Sequence, residues 1–139
     1  MTGVYDRSMS LDRLIGTWDF TMNHAALSQP VYGRQRYERV LDGSFLMLHW
    51  TYDHPEFPDA IALLDEHAYH YFDVRGVTRL FDLTLDDSGW VMVRHGEDLW
   101  QRSVGRFHGT DAIDGTGENS YDAGTTWQHD FSISHVRVE

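Results

Sequence analysis

The sequence predicts an all-β protein, a single antiparallel up-and-down β-barrel of about nine or ten strands opened by a short N-terminal helical turn. Three observations carry this expectation. Short β-branched and aromatic runs recur roughly every 8–14 residues, with Gly, Asp, Asn and Pro clusters between them. The breaks have turn chemistry: Asp42-Gly43, Arg75-Gly76, Asp87-Ser88-Gly89 and Asp122-Ala123-Gly124 all supply residues that tolerate positive φ. The connections are short, so successive hairpins close on themselves without the longer crossings that a sandwich requires.

In chain order, Ser10-Leu11-Asp12-Arg13-Leu14 reads as the helical turn, with Ser8 or Ser10 as N-cap and Leu11 and Leu14 as its apolar pair. Residues 1–10 are expected to be a flexible lead-in to one domain spanning 1–139. Strands are expected near 15–22, 33–41, 44–52, 60–64, 68–72, 77–85, 90–94, 99–108, 112–121 and 126–138. The two prolines of Asp53-His54-Pro55-Glu56-Phe57-Pro58 place that segment in a rim loop. Ten strands make a barrel slightly wider than the eight-strand case that just holds side chains or one small ligand, so interior space is expected.

Composition removes several function classes. All eleven basic residues are Arg, and neither Lys nor Cys occurs. Schiff-base, thiol-nucleophile and Cys-ligated metal chemistry are therefore excluded. A net charge of -11 opposes binding to nucleic acid or to an anionic membrane. The 16 Asp against 6 Glu suit turns better than helix interiors. The opening residues lack an apolar signal core and no long apolar run follows, so a soluble cytoplasmic protein is expected. Outward Tyr and Trp side chains offer a homodimer an apolar patch.

The last strand is the most informative stretch. Alternation puts Trp127, His129, Phe131, Ile133, His135 and Arg137 on one face, expected to be the inner one. Two imidazoles in an aromatic interior need partners, because an unpaired buried polar group costs about 1–3 kcal/mol. His129 and His135 are six residues apart, roughly 20 Å along a strand, so they cannot clamp one metal, and no metal site is expected. His67 and His70 point opposite ways in a strand. His49 lies where both strand faces are apolar, Phe45 and Met47 on one and Leu46, Leu48 and Trp50 on the other, so parity leaves its direction open.

Several motifs carry a family resemblance. Leu11 to Trp18, ending Gly16-Thr17-Trp18, resembles the start of lipocalin-like, calycin-type barrels. Glu118-Asn119-Ser120-Tyr121-Asp122-Ala123-Gly124-Thr125-Thr126-Trp127 and the final Arg137-Val138 are similar to a bacterial lipocalin-like family of unknown function. Arg39 to Leu46 and Tyr71-Phe72-Asp73 are similar to its other hairpins, and His135 stands where that family has an aromatic. The resemblance implies that Trp18 fills the closed barrel end beneath the Arg137 guanidinium, a cation–π contact of about 0.5–2 kcal/mol.

The expected function is binding of a small apolar or aromatic ligand in the cavity. Trp18, Phe20, His129, Phe131 and His135 are the first choices for lining or closing it, with Met47, His49, Phe81 and Leu83 behind them. No cofactor is expected. A more distant similarity to nitrobindin-like barrels raises haem as an alternative, with His135 as the axial ligand. The Gly-x-Trp-x-Gly-x-Gly opening of that family departs here to Gly16-Thr17-Trp18-Asp19-Phe20-Thr21-Met22, with Phe20 where a porphyrin needs room. A second alternative is a cofactor-free enzyme using His129 or His135 as acid or base with a Tyr partner, by analogy with lipocalin-like decarboxylases and cyclases. No nucleophile elbow is present. A third is a structural or partner-binding barrel with a filled core.

Overall fold

Ten strands form in chain order and close into a ring. A computed structural model describes residues 9–139, with side chains from Leu11 onward. A four-residue turn of helix, α1 (Met9–Asp12), precedes β1 (Gly16–His24), β2 (Val31–Val40), β3 (Phe45–Tyr52), β4 (Ala60–Leu64) and β5 (Ala68–Asp73). These are followed by β6 (Thr78–Asp86), β7 (Gly89–His95), β8 (Trp100–His108), β9 (Ala112–Ser120) and β10 (Gln128–Arg137). Every strand pairs antiparallel with its chain neighbours, and β1 pairs with β10, so none of them is left with a bare edge. The expected barrel and its strand number are thus present. Ser8 and the side chain of Ser10, expected as helix caps, lie outside the described residues. No helix among the described residues is long and apolar enough to cross a membrane.

The reversals follow from the turn residues. Asp42 and Gly43 adopt φ of 59° and 79°, and Ala123 and Gly124 adopt 55° and 86°. The first turn also draws Leu41, expected at a strand end, into positive φ at 53°. Expected and observed strand ends otherwise differ by a residue or two, the ordinary margin for such boundaries.

One end of the barrel is filled. Leu11 and Leu14 fold inward from the N-terminal turn, both buried, and join Trp18, Leu46, Leu48 and Ile113 in a continuous core. The Trp18 indole N–H donates to the Leu14 carbonyl at 2.9 Å, which ties the plug to β1. Arg137 spans the seam between β1 and β10. Its guanidinium lies 4.2 Å from the Trp18 ring centroid and donates to the carbonyls of Ile15 and Arg13. A second cluster, Phe20, Met22, Val31 and Ile133, supports the wall higher up beside Trp50 and Tyr52.

Candidate functional site

The other half of the barrel holds a cavity of about 230 Å3. Its walls are built by alternation: β3 turns Trp50 and Tyr52 inward, β5 Tyr69 and Tyr71, β6 Phe81 and Leu83, and β7 Trp90 and Met92. Two glycines shape the opposite wall. A Cβ on Gly105 would stand 2.3 Å from the Trp90 ring, and one on Gly117 would stand 2.1 Å from the Phe131 ring. Each glycine faces its aromatic directly across a strand pair, so the ring lies flat against bare backbone and leaves the centre open.

Polar atoms punctuate this aromatic lining. Trp50 Nε1, Trp90 Nε1 and His135 Nδ1 are buried and have no hydrogen-bond partner among the described residues, and all three residues line the cavity. His135 is 4% exposed, with its ring 6.2 Å from that of Phe20 and 6.4 Å from that of Trp90. Burial in this apolar setting pushes its pKa down to about 4, against smaller opposing effects of the Ile113 backbone and Asp114, so the imidazole is neutral near pH 7. Burial raises the Tyr37, Tyr52 and Tyr69 phenols above their ordinary range, which keeps them as neutral hydroxyls.

Charge appears at the mouth. Arg75 binds Asp73 and holds that carboxyl well below the usual range, with Tyr71 adding a 2.8 Å hydrogen bond. Arg102 binds Glu118 at 2.9 Å, and Asp130 pairs with His24 at 3.2 Å. Arg79 and Arg94 converge on one neutral group, donating to Gln101 Oε1 at 2.8 and 3.1 Å.

The expected site residues fall into three groups. Phe81, Leu83, Phe131 and His135 line the cavity. Trp18 and Phe20 are inside but off its wall: Trp18 belongs to the filled end, and Phe20 stands behind Trp50, Tyr52 and His135. Met47, His49 and His129 are corrections, because all three point outward. In β3 the buried positions are Leu46 and Leu48, which puts Met47 and His49 on the outer surface, where His49 Nε2 meets Glu38 Oε2 at 2.5 Å. In β10 a bulge intervenes: His129 pairs with Glu118 while Phe131 pairs with Gly117, so Asp130 is an extra residue. The bulge inverts parity before Phe131 and turns His129 out, where it meets Ser132 Oγ at 3.3 Å, and Trp127 stacks on Arg102 at 4.1 Å.

Sequence reasoning missed Trp50, Tyr52, Tyr69, Tyr71, Arg79, Trp90 and Gln101. The signal for Arg79 was present, since it stands two residues before Phe81 in an alternating strand. For Trp50 no local signal exists, because β3 is apolar on both faces and its orientation comes from pairing with β2, where Gln35 faces Trp50. Among the described residues no group of three His, Asp or Glu is placed to hold a metal ion.

No family model matches the chain, and no curated protein matches it. Solved structures do. A protein of unknown function from the DUF3598 family of Nostoc punctiforme superposes with a TM-score of 0.63 at 14% identity, covering 95% of this chain and 50% of that one. The S-type phycobiliprotein lyase CPES from Guillardia theta superposes with a TM-score of 0.57 at 12% identity, covering 93% of this chain and 90% of that one. This chain therefore spans half the length of the Nostoc protein and most of the lyase. At these identities the likeness shows the barrel fold.

Proposed function

We propose that this barrel binds a small, mainly apolar or aromatic molecule in its open half. The carrying observation is that three buried nitrogens, Trp50 Nε1, Trp90 Nε1 and His135 Nδ1, are left unpaired around one aromatic cavity. Each unpaired group costs about 1–3 kcal/mol, and a bound molecule with acceptor atoms offsets that cost. The two indole N–H groups are donors only, which favours a ligand carrying carbonyl or ring-nitrogen acceptors. The neutral His135 presents one donor or one acceptor according to its tautomer. Membership of the bacterial lipocalin-like family of unknown function belongs to this reading and rests on the motifs at 16–18, 118–127 and 137–138.

The alternatives receive less support. Haem on His135 meets a cavity of about 230 Å3, below the roughly 300–1,000 Å3 of drug-sized pockets, and the flanking rings of Phe20 and Trp90 would have to move. The residues therefore do not fit a porphyrin. Acid–base catalysis by His135 is poorly served by a pKa near 4. A filled barrel describes the closed half alone.

The test is fluorescence titration of the purified protein with naphthalene-2-carboxamide, a neutral aromatic amide, read through Trp50 and Trp90. Ser103 of β8 lines the cavity, and saturable quenching that is lost when Ser103→Phe fills it supports the proposal. Absence of saturable quenching, or quenching unchanged by Ser103→Phe, overturns it.

A further inference from the structure

Chain composition makes the cavity mouth unusual. The net charge is -11, yet Arg75 and Arg79 both border this one opening. Asp73 is already paired with Arg75 and Glu118 with Arg102, while Asp130 meets His24 at 3.2 Å. Arg94 has an ion-pair partner in Asp98 at 3.3 Å, itself more than half exposed. Arg79 differs. It is half-buried on the inner face of β6, and no carboxylate pairs with it among the described residues. What answers it is the neutral Gln101 carboxamide oxygen, shared with Arg94.

For Arg79, donating to one neutral amide oxygen leaves further N–H donors and most of the positive charge uncompensated. Arginine pairs carboxylate and phosphate oxygens bidentately, and it does so more strongly where water is partly excluded, as at a half-buried rim. The aromatic walls lie immediately below.

We infer that Arg79, held by Gln101, forms an anion-recognition site at the cavity mouth, so that the ligand is an amphipathic aromatic acid. The ring system sits among Trp50, Trp90 and Phe131, and the carboxylate sits at Arg79. This inference rests on the cavity reading above. A strongly acidic protein has reason to concentrate its cations here, since its overall field repels an anionic ligand that only a local positive site retains.

The test compares naphthalene-2-carboxylate with its neutral isostere, naphthalene-2-carboxamide, in fluorescence titrations at fixed ionic strength. The wild-type protein is expected to bind the carboxylate about tenfold or more tightly than the amide, the difference expected of charge-assisted hydrogen bonds. Arg79→Gln should bring the carboxylate to the level of the amide and leave the amide within twofold. Arg79→Lys should keep part of the preference. Equal affinities in the wild type, or a preference that survives in Arg79→Gln, overturn the anion site while leaving the cavity reading intact. Failure of both probes to bind overturns both. A circular dichroism melt of each variant establishes that it is folded.

Discussion

Arg137 and Trp18 face each other across the β1–β10 seam as a registered pair, the guanidinium 4.2 Å from the indole centroid while its N–H groups hold the carbonyls of Ile15 and Arg13. One side chain thus joins the last strand to the first and to the helical plug. A lysine places one compact cation there and cannot serve the ring and both carbonyls together. Arg137→Lys should lower stability by about 1–3 kcal/mol, a fall in melting temperature of roughly 3–8 °C. An unchanged melting temperature would show that the stacking is incidental.

Buried His135 sets a pH dependence. Its pKa falls from an ordinary 6.5 to about 4 on folding, so the unfolded chain binds more protons between those values. Stability from the neutral imidazole is therefore fully present above about pH 6.5 and is lost as pH falls toward 4, by roughly 3 kcal/mol at most. Carboxylates titrate nearby, so the difference between wild type and His135→Gln isolates the imidazole. Denaturant melts at pH 7 and 4.5 should show the wild type losing more stability than the variant, and parallel losses would contradict the burial argument.

Trp90 is expected to contribute a hydrogen bond as well as a wall. Its indole N–H is unpaired, and Trp90→Phe keeps a ring against Gly105 while removing that donor. Affinity for naphthalene-2-carboxamide should fall about 2–10-fold, the range of one net hydrogen bond. Calorimetry, which does not depend on the lost fluorophore, measures it.

Outward residues should be silent. His49→Ala and His129→Ala remove imidazoles from the outer surface and should leave ligand affinity within twofold. A larger effect from His129→Ala would mean that the β10 bulge does not hold its parity in solution.

Gly117 is expected to control cavity volume. A methyl there meets the Phe131 ring at 2.1 Å and must push it inward. Gly117→Ala should therefore weaken binding of the neutral amide severalfold, with a destabilisation of about 1–3 kcal/mol from overpacking. Gly117→Ala combined with Phe131→Leu should recover affinity, and failure of that rescue would separate the glycine from the cavity.

Much of the fold was legible because its signals are local. Asp-Gly turns, strand runs and the Gly16-Thr17-Trp18 opening each act within a few residues, and together they specify hairpin after hairpin until the sheet closes. Phe81 and Leu83 were readable for the same reason, since Asp82 and Thr84 alternate with them. Met47, His49 and His129 were not. In β3 both faces are apolar, so the β2 register chooses the inner one, and in β10 a single extra residue, Asp130, inverts parity halfway along an otherwise regular pattern.

By itself, then, the sequence determined the chain's class, its strand succession and the chemistry it lacks, because these depend on residue identity and near neighbours. Tertiary structure alone decided which aromatics surround the cavity, that Gly105 and Gly117 make room for Trp90 and Phe131, and that Arg79 and Arg94 meet at Gln101. Those relationships join residues across paired strands, and a pairing register is a property of two strands that neither carries alone.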